Sequence, residues 1–213
     1  MKINQINSSL IIENQYFGCI NYYLMLYKYS NSGIEQYESW QKMSFRNRCV
    51  ILGANGLIHL TVPLENGRDQ KCLIKEVRIN NRDAWQKQHW RSIFSCYGKS
   101  PFFEFYRDWV ELFYQKKHVY LFDMNLEILF WLRDRLKIPG TISLTGSYSE
   151  NCGPDINDCR NRWLPKNFQE GKEWIRYNQV FEHKFGFQPN LSILDFLFNC
   201  GPDFKSYASN NHL

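Results

Sequence analysis

Asn55-Gly56 lies between two apolar runs, CVILGA and LIHLTV, and few structures accommodate that arrangement. Asn-Gly readily supplies the two positive φ angles of a type I′ turn, and the flanking runs give each strand a face to bury, so the segment reads as a β-hairpin. The run CLIKEVRI, Cys72 to Ile79, alternates well enough to add a third strand to the same antiparallel sheet. Upstream, Ser9 to Ile12 reads as a short buried strand. The aromatic stretch QYFGCINYYLMLYKY becomes helical from about Gly18, and Ile34 to Trp40 forms a second strand.

Helical periodicity takes over after Asp83. Trp90, Ile93, Phe94 and Tyr97 make one apolar stripe, Lys87, Gln88, Arg91 and Ser95 face away, and Gly98 ends the helix. Ser100-Pro101 opens another, with Phe102, Phe105, Tyr106, Trp109 and Phe113 on its buried face. A third runs from Asp123 to about Lys137, stopped by Pro139-Gly140, and its apolar residues cover most of its circumference. Ser192 to Asp195 has the form of a capping box ahead of a short helix that stops at Gly201-Pro202. Together these elements predict an α/β (or α+β) fold, a mixed β-sheet with a hairpin around Asn55-Gly56 covered by helices, in a single domain over residues 1–213. Within it, 145–172, rich in Gly, Asn, Ser and Pro, reads as a long loop or lid, and 204–213 as a flexible tail.

With 44% hydrophobic and 17% aromatic residues, the chain has the side-chain area to drive folding. A formal charge of +5 suits an anionic ligand but is too small to mark a nucleic-acid binder. Seven cysteines, an odd number with no CxxC spacing, argue against a zinc ribbon and suit a compartment where thiols stay reduced. The first twelve residues lack a signal-peptide apolar stretch, and no run approaches the ~20 apolar residues of a membrane helix. A cytoplasmic protein without a membrane span is expected. There is no GxSxG, GxGxxG or P-loop, so no fingerprint names a cofactor, and no helix-spaced histidines point to a metal.

Candidate chemistry rests on a few residues. If Gln41 to Cys49 is extended, Lys42, Ser44, Arg46 and Arg48 share one face and would hold a phosphate or carboxylate; the alternative is a solvated polar face. Asn47 falls on the opposite, apolar face, where its amide needs partners. His89, at the edge of a helical stripe, is either a general acid/base or a core-edge histidine with one structural hydrogen bond. Lys87 and Tyr97 flank it, Asn190 precedes a helix whose free N–H groups suit an anion, and Asp158 with Arg160 is either a substrate clamp or a local salt bridge. Tyr16, Phe17, Tyr22 and Tyr23 would instead stack on a sugar or peptide in a non-catalytic binding protein.

Three segments carry a wider likeness: EQYESWQKMSFRNRCVILGANGLIHLTVPL, WQKQHWRSIFSCYGKSPFFEFY and YNQVFEHKFGFQPNLSILDFLFNCGPD. Their order and spacing closely resemble the shorter WbqC-like proteins over roughly Tyr16 to Asp203. Gln15-Tyr16-Phe17 stands where relatives carry a Gln-Pro-Tyr-rich motif, without the proline, and Ser143-Leu144-Thr145-Gly146 is a loose counterpart of a Tyr-Leu-Ser-Gly-like segment. The resemblance implies an enzyme of surface-polysaccharide (O-antigen-like) biosynthesis, an acyl- or aminoacyl-transferase acting on a sugar nucleotide or lipid-linked sugar. On that reading Lys42, Arg46 and Arg48 hold the substrate's anionic group, with Tyr16, Asn47, Lys87, Tyr97 and Asn190 lining the site, and His89 moves the acceptor's proton.

Overall fold

The computed structural model describes residues 6–171 and 174–209, except for the side chains of Ile6 and Asn7. The chain opens with β1 (Ile6–Glu13), α1 (Ile20–Lys28) and β2 (Tyr29–Glu35), a crossover that lays β2 parallel to β1. β3 (Arg48–Gly53) and β4 (Gly56–Thr61) form the hairpin, followed by α2 (Trp85–Tyr97), α3 (Phe103–Gln115) and α4 (Leu121–Arg135). Two short strands, β5 (Thr141–Leu144) and β6 (Ile156–Asp158), precede α5 (Glu182–Phe185), α6 (Ile193–Cys200) and α7 (Phe204–Ser209). The expected α/β class holds: a parallel sheet of order β5-β2-β1-β6 and an antiparallel hairpin, both covered by helices. No helix among the described residues is long and apolar enough to cross a membrane.

The parallel sheet is buried on one face, while Asn31 and Gly33 of β2 and Ile11 of β1, which point to the other, are exposed or half-buried. Leu10, Ile12 and Ile34 are fully buried, and α1 is buried almost around its whole circumference, from Ile20 to Tyr27. That helix needs no polar face because the strands it connects lie on one side and α6 on the other.

Several elements depart from the sequence reading. The second strand is Tyr29–Glu35, ahead of Ile34–Trp40, because the helix ends at Lys28 and the following residues pair with β1. The hairpin forms, but its turn is Ala54-Asn55, and only Gly56 has a positive φ, +111°, so the type I′ geometry is absent. Cys72–Ile79 is no strand: Ile74–Glu76 is a 3-10 turn, and Leu73, Arg78 and Ile79 make isolated bridges to different partners. The buried stripe of α2 is Trp85, His89, Ile93, Cys96 and Tyr97, leaving Phe94 46% exposed. In α3 the inner face is Phe103, Tyr106, Val110, Phe113 and Tyr114, while Phe105 is 78% exposed. Within 145–172, β6 joins the sheet beside β1, so this stretch is not loop throughout. Residues 204–209 are α7, whose Phe204 ring packs edge-on against Phe196; the rest of the expected tail lies outside the described residues.

Candidate functional site

Both long strands of the sheet end in the same dipeptide, Ile12-Glu13 and Ile34-Glu35, and the two glutamates are register partners. The apolar residues anchor the strands in the core, and the carboxylates emerge at the carboxyl edge, where open α/β sheets place their ligands. The strand order also reverses beside β1, with β2 on one side and β6 on the other. β6 brings a third acid, Asp158, to this edge. Glu13 and Glu35 are each 1% exposed, and Glu38, three residues on, is 4% exposed.

Two guanidinium groups meet these acids. Arg46, fully buried, donates from Nε to Glu38 Oε1 at 2.7 Å, from its second terminal nitrogen to Glu38 Oε2 at 2.5 Å, and to Asn161 Oδ1 at 2.9 Å. Burial pushes the Glu38 carboxyl above its ordinary range, an effect the Arg46 fork opposes and the neighbouring Glu13 and Glu35 reinforce. Arg160 grips Asp158 and reaches Glu35 Oε2 at 3.3 Å, while the Tyr148 ring covers it at 4.7 Å. Hydrogen bonding to Asp158 raises the Arg160 pKa further.

The remaining acceptor positions are filled by neutral donors. Glu35 Oε1 accepts from the Tyr37 backbone N–H at 2.8 Å and from Thr145 Oγ1 at 2.9 Å. Glu13 accepts from Gln15 Nε2 at 2.7 Å and from the Asn161 N–H at 3.0 Å. Gln15 and Thr145 thus bring to this edge the two segments whose departures from the relatives' motifs were noted above. Phe17 and Asn161, in the loops after β1 and β6, hold φ of +40° and +59°, backbone that non-glycine residues adopt at a cost and that concentrates at functional sites.

The basic face expected from Gln41 to Cys49 does not form, because β3 begins only at Arg48 and the preceding residues turn rather than extend. Lys42 pairs with Asp69 on the surface, their side chains 59% and 60% exposed. Arg46 is spent on Glu38. The Arg48 Nε is buried without a hydrogen-bond partner among the described residues, and burial lowers its pKa. Asn47 braces the hairpin, donating to the Val62 carbonyl at 3.0 Å.

His89 is likewise enclosed. Its Nδ1 lies 2.9 Å from the Tyr16 hydroxyl, which is 2.5 Å from that of Tyr114, and the ring also bonds the Thr61 backbone. Desolvation lowers its pKa to about 4, so the ring is neutral at physiological pH. Arg46 and His89 therefore face different partners. Lys87, on the outer face of α2, is exposed. Tyr97 donates at 2.7 Å to Asp195, which also accepts from Tyr177 at 2.5 Å and Gln179 at 3.2 Å. With its carboxylate so engaged, Asp195 does not complete a capping box; Ser192 alone caps α6. Asn190 accepts from the Asn21 N–H at 2.8 Å and donates to the Phe168 carbonyl at 2.7 Å, so it satisfies the start of α1. The rings of Tyr16, Phe17, Tyr22 and Tyr23 are all 0% exposed and present no face for stacking.

Of the expected residues, the structure brings Arg46, Asp158 and Arg160 to the carboxyl edge. Glu13, Glu35 and Glu38 were not singled out by sequence reasoning. For Glu13 and Glu35 the one legible signal was a glutamate closing each buried β-run. Among the described residues no three His, Cys, Asp or Glu side chains are grouped to hold a metal ion.

The chain is 27% identical over 197 residues to the uncharacterized protein Rv1507c of Mycobacterium tuberculosis, an alignment covering 79% of this chain and 84% of that one. No solved structure matches it. The WbqC-like protein family matches residues 14–161 and 158–207, which include every strand-edge residue described above except Glu13, and the protein belongs to that family.

Proposed function

We propose that this protein is an enzyme of surface-polysaccharide biosynthesis that transfers an acyl or aminoacyl group to a sugar nucleotide or lipid-linked sugar, with the carboxyl edge of the parallel sheet as its active site. The substrate class follows the family resemblance. The observation that carries the site is the in-register pair Glu13 and Glu35, buried at adjacent strand ends beside Arg160 and Arg46. In the transfer, the acceptor's nitrogen or oxygen forms a bond to the acyl carbon while the bond to the leaving group breaks. A strand-end carboxylate takes the acceptor's proton and returns it to the leaving group. Arg160, held by Asp158 and capped by Tyr148, is the cation beside the oxygen that gains charge.

The test is turnover of Glu13→Gln and Glu35→Gln with an amino-sugar nucleotide and a panel of acyl and aminoacyl thioesters, read as product mass. General-base catalysis contributes about 10²–10⁴-fold, so each variant is expected to lose at least two orders of magnitude in kcat. Wild-type rates in both would remove the proposed site.

A further inference from the structure

The outer face of α3 leaves large apolar side chains in water. Phe105 is 78% exposed and Leu112 57% exposed, and Trp109, half-buried, stands between them. At i, i+4 and i+7 the three form one stripe about 10 Å long, turned away from the buried Phe103, Tyr106, Val110 and Phe113. The rings are fixed in the single chain. Trp109 stacks on Trp131 of α4 at 3.8 Å with the planes 8° apart, and on Phe113 at 5.2 Å, while Phe102 lies 5.9 Å from Phe105. A side chain already held in place loses little freedom when a partner covers it. Phe105 alone exposes about 150 Å², and with Leu112, Trp109, Phe102 and Trp131 the stripe shows about 400 Å² of apolar surface. A standard interface takes about 800 Å² from each partner, a little over half of it apolar, so this stripe supplies the apolar centre of one.

The charges beside the stripe select what covers it. Acids occupy the first part of α3, Glu104, Asp108 and Glu111 against a single Arg107, and bases end it, Lys116 and Lys117. Arg107 lies 3.6 Å from Glu104 and 3.8 Å from Glu111, and Lys116 pairs with Glu127 of α4, whereas Asp108 and Lys117 have no partner among the described residues. A helix that lies on a lipid surface carries Lys and Arg along its whole polar face, and this one is split by sign. A helix split in this way is matched end to end by an antiparallel copy of itself. With the two-fold axis level with Trp109, Phe105 lies over the partner's Leu112. Glu104, about 8 Å from that axis, then comes beside the partner's Lys116 and Lys117, about 11 to 12 Å out on the same side.

We propose that this stripe is a homodimer interface. Two copies of the chain pack α3 against α3, antiparallel about a two-fold axis, with Phe105, Trp109 and Leu112 at the centre and Glu104 against the partner's Lys117 at each rim. The apolar centre supplies the affinity, and the acid-to-base rim fixes the antiparallel direction, because a parallel pairing sets like charges together.

Sedimentation equilibrium of the full chain, from micromolar to hundreds of micromolar, tests this directly. Wild type is expected to reach twice the 25.6 kDa of one chain. Phe105→Glu and Leu112→Glu should each weaken association about 30-fold or more. Both side chains lie on the surface of the single chain, so the variants keep its far-ultraviolet circular dichroism. Leu57→Glu, at a 39% exposed residue of the hairpin, should associate like wild type. Glu104→Lys should weaken the dimer severalfold, and Lys117→Glu added to it should restore the affinity. A chain that stays monomeric at every concentration overturns the proposal, and so does a dimer that survives both Phe105→Glu and Leu112→Glu or one that Leu57→Glu dissociates equally. Failure of the second charge reversal to restore affinity overturns the antiparallel arrangement. A monomeric chain that sediments with phosphatidylcholine vesicles, and loses them in Phe105→Glu, overturns it in favour of a lipid surface.

Discussion

Two buried groups on α2 and α6 titrate in opposite senses across the same pH range, and replacing them one at a time separates the two contributions. His89 is neutral in the fold, its pKa lowered from an ordinary 6.5 to about 4 by desolvation. Its contribution to stability is present above pH 6.5 and is lost as pH falls through that value toward 4. Asp195 behaves oppositely. Desolvation raises its pKa from 3.8 to about 6 even though Tyr177, Tyr97 and Gln179 all donate to it. Its contribution is present below pH 3.8 and is lost as pH rises through 6. At about 1.4 kcal/mol per pH unit separating folded from unfolded values, each group is worth about 2 to 3 kcal/mol between pH 7.5 and pH 4, with opposite signs. In wild type the two largely cancel. His89→Gln keeps an amide for the Tyr16 hydroxyl, and its stability relative to wild type should rise by about 2 to 3 kcal/mol on going from pH 7.5 to 4. For Asp195→Asn it should fall by about the same amount over the same range. Urea unfolding at half-unit pH intervals, taken as the difference from wild type at each pH, removes the background of surface carboxylates. Difference curves flat within about 0.5 kcal/mol for both variants would refute the assignment of these groups as desolvated titrating sites.

Arg46→Met leaves Glu38 buried without its cation and Asn161 without its donor. Breaking such a pair costs about 3–5 kcal/mol, or a fall in Tm of about 10 °C for a chain of this size, and Glu38→Leu added to it should restore part of the loss. A Tm change under about 2 °C in calorimetry would show that the guanidinium is not what neutralises Glu38. Gly201 closes α6 at φ +65°, and a Cβ there would lie 2.5 Å from the Phe102 ring. Gly201→Ala should therefore cost about 2–3 kcal/mol in denaturant unfolding, from left-handed backbone strain and ring displacement together. A loss below about 1 kcal/mol would mean that the ring moves aside freely.

Local patterns were legible wherever a residue acts through its neighbours in sequence. Gly98 and Gly201 end α2 and α6, Pro139-Gly140 follows α4, and Ser192 caps α6, all from signals that operate within one turn of helix. The hairpin was readable from flanking apolar runs, although its turn type was not, because Gly56 alone takes the positive φ. Helix faces were read one or two positions out, and Phe94 and Phe105 show why. In a chain this aromatic, apolar residues lie on more than one face, and only packing against neighbours selects which is buried.

The strand-edge cluster lay beyond such reasoning. Arg46 and Asn161 are 115 residues apart in sequence, Glu13 and Asn161 148 apart, and nothing local distinguishes Arg46 from the equally basic Lys42 or Arg48. Sequence by itself determined which strands and helices could form, because turn chemistry and side-chain periodicity act over a few residues. Tertiary structure alone decided which charges are buried together, because that depends on parallel register between strands separated by a helix, and on the low dielectric that makes an unpaired carboxylate costly only once it has been enclosed.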